Sequence, residues 1–153
     1  MIPTITAFDS PRQSAELVGA WKLICASSTD DLGQRDDAPF GQDATGSLIY
    51  TDDGRISVMV SHGGRQLLSN EDLSIATPAE RAEAFRTFNA YAGRYTLAGD
   101  RITHHVEIAS LPNWVGRELV RMVRCKDDRL TLETPPHPVE GSPRSFTLVW
   151  QRL

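Results

Sequence analysis

Short segments in which apolar and polar side chains alternate constrain this chain more than any other feature. About eight of them begin near residues 20, 47, 55, 94, 101, 117, 129 and 145, and turn signals such as Asp53-Gly54 and Gly99-Asp100 separate several of them. Alternation is typical of strands with one buried face, and regular strand spacing with tight turns favours an antiparallel sheet or barrel over alternating strands and helices. Eight strands can close on themselves and leave an interior wide enough for one small ligand. We therefore predict an all-β fold, an eight-stranded antiparallel up-and-down β-barrel in a single domain over residues 1–153.

Two segments carry helix signals instead. Ser10 can cap a short N-terminal helix that ends at Gly19. Thr77, followed three residues later by Glu80, forms a capping-box pattern and predicts a second helix at about 78–92. Apolar residues at spacings of three and four predict that this helix packs one stripe against the core, namely Ala82, Phe85, Phe88 and Ala92.

Composition excludes several classes of protein. The chain has 16 Lys and Arg against 20 Asp and Glu, a formal net charge of −4, and no basic concentration suited to nucleic acid. No apolar run reaches the roughly 18 to 20 residues of a membrane span, and the first twenty residues lack the pattern of a secretion signal. Cys25 and Cys125 are too few for a disulfide framework. We expect a cytoplasmic protein without nucleic-acid or membrane partners, and homodimer formation stays open.

Longer stretches of the sequence are similar to a known family. Gly19-Ala20-Trp21 lies at the entrance to the first strand, after the short helix signal. The wider text resembles the bacterial and fungal lipocalin-like domain proteins in the stretches LVGAWKL (17–23), PFGQDATGSLIYTDDGRISVMV (39–60), TPAERAEAFRTFNAYAGRYTL (77–97), ITHHVEIASLPNWVGRELVR (102–121), RLTLETPP (129–136) and LVWQR (148–152). The resemblance implies an eight-stranded barrel of calycin type with a helix between the third and fourth strands, and a basic residue, Arg152, covering Trp21. Secreted lipocalins differ by carrying a signal peptide and usually a disulfide.

Strand parity ranks the residues that face the interior, if the more apolar face points inward. It predicts an apolar cavity with three polar groups, His104, Arg121 and Tyr95, which is the usual composition of a ligand site. A buried Arg121 needs a partner, either a protein carboxylate such as Glu107 or Glu118 or an anionic or enolate group of a ligand. The alternative is that Arg121 points outward and Met122 inward. Candidate ligand contacts are Trp21, Tyr50, Val58, Phe88, Asn113, Trp114, Val123, Phe146 and Trp150, and both cysteines are expected in the wall.

Three functions fit such a barrel. The first is binding of a small, largely apolar molecule with a polar or anionic end. The second, implied only by analogy of fold, is a cofactor-independent isomerase, cyclase or lyase in secondary metabolism. There His104 would act as acid or base and Arg121 or Tyr95 would stabilise an oxyanion. The third is an interaction module whose barrel is plugged by Trp21, Phe88, Phe146 and Trp150.

One pair of residues raises the question of a metal. His105 and Glu107 lie two apart on the other face of the fifth strand, which can begin a metal site. No third ligand joins them at suitable spacing, so we expect a salt-bridged surface there. We predict neither a metal nor another cofactor.

Overall fold

Pairing between the first and the last long strand closes the sheet into a barrel. The computed structural model describes residues 15–153. Every neighbouring pair of strands is antiparallel, in the order β2-β1-β3-β4-β5-β6-β7-β8-β10-β9, with β1 also paired to β10. The strands are β1 (Gly19–Asp30), β2 (Arg35–Asp36), β3 (Thr45–Tyr50), β4 (Arg55–Ser61), β5 (Phe88–Ala98), β6 (Arg101–Ala109), β7 (Glu118–Lys126), β8 (Arg129–Glu133), β9 (His137–Val139) and β10 (Ser142–Arg152).

Eight of these strands form the ring, which confirms the predicted eight-stranded antiparallel β-barrel. The short strands β2 and β9 lie outside it, where they flank the far halves of β1 and β10. One α-helix, α1 (Pro78–Arg86), lies between the third and fourth long strands, as the family resemblance implies. Two 3-10 turns, Leu73–Ile75 and Pro112–Trp114, lie in the connections. None of the helices within residues 15–153 is long and apolar enough to cross a membrane.

The two ends of the barrel are built differently. At one end the strands join through tight turns at residues 51–54, 99–100 and 127–128. Gly54 has a φ of 87° there, in the left-handed region that a side chain disfavours. The long connections, which contain α1, β2, β9 and the 3-10 turns, all lie at the opposite end. We call these the closed end and the open end.

The closed end is sealed by Trp21, which is fully buried. Its indole Nε1 donates to the carbonyl oxygen of Leu17 at 3.0 Å. The guanidinium of Arg152 lies 4.2 Å from the centroid of the Trp21 ring, a favourable cation–π distance, so the expected cover of Trp21 by Arg152 is confirmed. Gly19 has a φ of 138°, and a Cβ there would come within 2.8 Å of Arg152 Nη1. The glycine of the Gly-x-Trp motif therefore makes room for this arginine.

The second helix is shorter than predicted. Its capping box is present, since Thr77 Oγ1 accepts from Glu80 N at 3.2 Å and Glu80 accepts from Thr77 N at 2.9 Å. The helix ends at Arg86 and buries none of its residues, and Phe85 is 54 % exposed. The prediction of a helix to residue 92 with an apolar stripe against the core is therefore wrong.

Strand pairing explains the early end of the helix. Phe88 begins β5 and pairs with Ser61 of β4, so residues 88–92 belong to the barrel wall. Hydrogen bonding to β4 outweighs an apolar spacing that fits a helix only by coincidence. Gly93 is not a helix stop, because it lies where β5 and β6 approach so closely that a Cβ would overlap the carbonyl oxygen of His105.

A β-bulge corrects a second prediction. The register between β1 and β10 shifts between Leu23 and Cys25. A one-residue insertion moves the following side chains to the opposite face, so Ser28 becomes buried while Cys25 is exposed. The side chain of Cys25 therefore does not face the interior as predicted, whereas Cys125 packs against the core. The predicted N-terminal helix lies mostly outside the described residues, of which 15–17 are helical.

Candidate functional site

A cavity of about 210 Å³ occupies the open half of the barrel. It is smaller than the roughly 300 to 1,000 Å³ of sites for drug-sized molecules, which restricts it to a small ligand. Its walls are mainly apolar, and residues from six strands of the ring, three connections and β9 line it. The apolar lining consists of Phe40, Val58, Val60, Trp114, Leu132, Phe146, Leu148 and Trp150, and the polar lining of Asn89, Tyr91, His104, Arg121, Thr134 and His137.

Aromatic rings form the mouth of this cavity. Phe40, from the first long connection, stacks on Phe146 of β10 with ring centroids 5.7 Å apart and planes 5° from parallel. Tyr91 meets Trp114 edge to face at 5.8 Å, and His137 stacks on Phe146 at 5.4 Å. Aromatic rings in this arrangement present both faces and edges for packing.

His104 forms the buried polar centre below these rings. It is 1 % exposed, with its Nε2 2.8 Å from the Tyr50 hydroxyl oxygen and its Nδ1 2.6 Å from that of Tyr91. Burial, and next the positive charge of Arg121, lowers the pKa of His104 to about 3. Burial also raises the pKa values of both tyrosines. All three side chains are therefore uncharged near neutral pH.

Arg121 lies on the inner face of β7 and lines the cavity, whereas Met122 points outward and is partly exposed. Arg121 Nη1 donates to the carbonyl oxygen of Val120 at 2.9 Å. Burial raises the pKa of Tyr91, and the charge of Arg121 together with a hydrogen bond from it limits that rise. The guanidinium has further donor capacity, since an arginine carries five N–H groups.

The expected carboxylate partners of Arg121 lie elsewhere. Glu107 Oε2 is 2.6 Å from Arg55 Nη2 on the outer surface, and Glu118 Oε1 is 3.4 Å from His105 Nδ1. No ion pair of Arg121 occurs within residues 15–153. A cation in a mainly apolar cavity without a carboxylate is costly, so this residue has a physical reason to attract a ligand oxygen.

Trp150 carries a buried donor that the described part of the protein leaves unpaired. It is fully buried and lines the cavity. Its indole Nε1 is shielded from solvent and has no hydrogen-bond partner in the described part of the chain. Buried N–H groups are rarely left unpaired, and this one is closed off from the cavity space as well as from solvent.

Six of the predicted site residues do line this cavity: Val58, His104, Trp114, Arg121, Phe146 and Trp150. Tyr50 lies behind His104 and reaches the site only through that side chain. The cavity itself shows that the aromatic residues do not plug the open half of the barrel.

Five others lie elsewhere, for reasons that the structure supplies. Tyr95 donates from its hydroxyl to the carbonyl oxygen of Thr51 at 2.9 Å, in a turn of the closed end. Trp21 and Val123 also belong to the closed half, where Val123 lines a shallow depression beside Leu17. Phe88 lies on the outer face of β5 under the Arg65 guanidinium, 5.3 Å from its ring centroid. Asn113 is exposed to solvent.

The most important residue that sequence reasoning missed is Tyr91. The predicted helix to residue 92 concealed it, although Asn89, Tyr91 and Tyr95 follow the alternation of an inward strand face. Phe40 and His137 were missed because they come from connections, and strand parity says nothing about connections. No group of three or more metal-ligating side chains is assembled within residues 15–153. His105 instead lies 3.0 Å from the Thr96 hydroxyl on the outer surface.

Comparison with known proteins gives this barrel a family. A sequence profile of the lipocalin-like domain matches residues 18–153. The chain belongs to the lipocalin-like domain family. The chain is 35 % identical over 102 residues to a protein of Aspergillus oryzae named 4'-hydroxy-3'-methoxypropiophenone carrier protein ppsC. The match covers 60 % of this chain and 86 % of that one.

Two solved structures from Bacteroides are also similar to this lipocalin-like chain. One is a lipocalin-like protein of Bacteroides uniformis and the other an uncharacterised protein of Bacteroides eggerthii. Each has a TM-score of 0.44 and 14 % sequence identity, and covers 90 % of this chain and 99 % of its own.

Proposed function

We propose that this lipocalin-like protein binds and carries a small, mainly apolar, aromatic molecule with an oxygen-bearing end. The observation that carries the proposal is Arg121, which lines an apolar cavity and has no carboxylate partner among the described residues. A ligand oxygen would provide what the protein does not, because hydrogen bonds from guanidinium to oxygen are among the strong ones.

The mouth of the cavity supports an aromatic ligand. The stacked pair Phe40 and Phe146 and the edge of Trp114 against Tyr91 offer both faces and edges to a planar ring. The Aspergillus relative is named as the carrier of an aryl ketone. We propose an aryl ketone, or another planar molecule of that size and polarity, as the ligand class here.

The surroundings of His104 favour carriage over catalysis. Both ring nitrogens already face tyrosine hydroxyls, and a pKa of about 3 leaves the imidazole far from the value that suits proton transfer near neutrality. Tyr95, the other proposed oxyanion contact, donates to the backbone at the closed end. We therefore propose binding as the function and give His104 a positioning role.

A fluorescence titration tests the proposal. Two of the three tryptophans line the cavity, so 4'-hydroxy-3'-methoxypropiophenone should change tryptophan emission on binding. The Arg121→Met variant should bind it at least about tenfold more weakly, because a hydrogen bond to a charged group is worth roughly 1.5 to 3 kcal/mol.

Arg124→Met is the matched control for this titration. Arg124 is three positions further along β7 on the outer surface, where its Nη2 lies 3.4 Å from Glu133, so its loss should leave affinity unchanged. Equal affinity of the Arg121→Met variant and the original protein would contradict the proposal. Native mass spectrometry of the protein as purified would show whether an endogenous molecule of this class accompanies it.

A further inference from the structure

The hydrogen bonds around His104 determine which way the Tyr91 hydroxyl can donate. A neutral imidazole has one N–H group and one bare nitrogen, and here each nitrogen faces one tyrosine hydroxyl. One tyrosine must therefore donate to His104 while the other accepts from it. The two arrangements are not equivalent, because the two tyrosines have different surroundings.

Tyr50 is the tyrosine without an alternative hydrogen-bond partner in the described part of the chain. It is 1 % exposed, and among residues 15–153 its hydroxyl has one hydrogen-bond partner, His104 Nε2. If Nε2 carried the hydrogen, the hydroxyl hydrogen of Tyr50 would be buried without an acceptor, which is unfavourable. Tyr50 therefore donates to Nε2, and the imidazole hydrogen lies on Nδ1.

Tyr91 then becomes an acceptor from the protein. Its hydroxyl oxygen accepts from His104 Nδ1 at 2.6 Å. Arg121, which also acts on this hydroxyl through a hydrogen bond, can only donate. The hydrogen of the Tyr91 hydroxyl is left to point toward the cavity that the residue lines.

A second donor borders the same space. The guanidinium of Arg121 lines the cavity beside Tyr91. Polar residues that can also accept, Asn89, Thr134 and His137, lie at the open end. Thr134 Oγ1 already accepts from Phe146 N at 2.9 Å. The deep polar part of the cavity thus offers hydrogen-bond donors.

We propose that Tyr50 and His104 fix Tyr91 as a hydrogen-bond donor, so that the site selects a ligand oxygen carrying no hydrogen, as in a ketone or carboxylate, over the corresponding alcohol. This inference rests on the proposed ligand-binding function. An alcohol would bring its own hydrogen among donors and leave it unpaired, and sites discriminate strongly against such a mismatch. His104 acts through Tyr91 and is a positioning residue.

Nitrogen NMR of the full chain tests the positioning step without any variant. Long-range proton–nitrogen spectra of protein with labelled histidine distinguish a protonated from a bare ring nitrogen. We expect His104 to show a protonated Nδ1 and a bare Nε2 at neutral pH. A spectrum with the hydrogen on Nε2 would overturn the proposal, because Tyr91 would then donate to His104.

A matched pair of ligands tests the selection step. Propiophenone and 1-phenylpropan-1-ol differ at one oxygen, and we expect the ketone to bind at least tenfold more tightly. The Tyr91→Phe variant should reduce this preference to less than threefold. Tyr95→Phe is the control, since it removes a tyrosine hydroxyl at the closed end and should keep the full preference.

The outcomes separate this inference from the function on which it rests. If the ketone and the alcohol bind equally tightly, or if Tyr91→Phe keeps the preference, the selection of oxygen type is wrong while ligand binding stands. If neither molecule nor the hydroxylated propiophenone of the fluorescence titration binds, the proposed function fails and this inference fails with it.

Discussion

Two arginines, one at each end of the barrel, lie against aromatic side chains and have opposite surroundings. Arg152 lies over Trp21, with its Nη1 2.8 Å from the carbonyl oxygen of Val18 and its Nε 2.9 Å from Asp128 Oδ1. Arg121 has one backbone carbonyl and the Tyr91 hydroxyl. A cation that donates from all three of its nitrogens to oxygens of the chain, as Arg152 does, seals a structure. A cation with donors to spare beside a cavity suits a guest molecule. The following experiments can break or sharpen this contrast.

The largest effect is expected at the closed end. Arg152→Met removes hydrogen bonds from a charged group to carbonyl and carboxylate oxygens, together with the cation–π contact, and should lower the free energy of unfolding by about 3 kcal/mol. Urea denaturation measures it. Arg129→Met, at an exposed arginine 3.1 Å from the side chain of Gln151, should cost less than about 0.5 kcal/mol. Similar losses in both variants would show that Arg152 does not seal this end.

The second effect is a loss of stability as the pH falls below neutrality. His104 is neutral in the folded protein down to a pH of about 3, whereas the unfolded chain protonates it below roughly pH 6.5. Falling pH therefore favours the unfolded state within that window. The protein should lose about 2 kcal/mol between pH 7 and pH 5 through this residue, at roughly 1.4 kcal/mol per pH unit below 6.5.

A His104→Gln variant isolates that contribution. Its stability should change less between pH 7 and pH 5 than that of the original protein, when both are measured by urea denaturation. His105→Gln, on the outer face of the same strand, leaves the contribution of His104 in place and is the matched control. A His104→Gln variant with an unchanged slope would mean that the imidazole takes up its proton at the same pH in the folded protein as in the unfolded chain.

The third effect has the opposite sign to the first. Without ligand, Arg121→Met replaces a poorly compensated cation by an apolar side chain, and the free energy of unfolding should rise by about 1 kcal/mol. Thermal unfolding of the ligand-free protein measures it. A loss as large as that in Arg152→Met would erase the contrast between the two arginines.

The smallest effect is expected in the long connection of the open end. Phe85 is exposed on α1, which buries none of its residues, so Phe85→Ser should change stability by less than about 0.5 kcal/mol. Leu48→Ala, at a fully buried position of β3, provides the comparison and should cost about 2 to 5 kcal/mol. A large loss of stability in Phe85→Ser would instead support the core-facing helix that the apolar spacing predicts.

Alternation predicted the barrel and the inward direction of His104 and Arg121, because successive side chains along an unbroken strand point to opposite faces of the sheet. It failed at Cys25, where a bulge that leaves no mark in the residue pattern reverses the face. It also failed at Phe88 and Tyr91, because local helix spacing competed with a pairing to β4 that is remote in sequence. The rings from the connections, Phe40 and His137, depend on how loops fold over the open end, and local patterns do not encode that.

The seam between β1 and β10 has a consequence for the order of folding. Residues as far apart as Val18 and Arg152 meet across it, 134 positions apart in the chain, and contacts of such long range form slowly because loop closure precedes them. β10 also supplies Phe146, Leu148 and Trp150 to the cavity wall. The compartment therefore does not exist until β10 has been synthesised and docked.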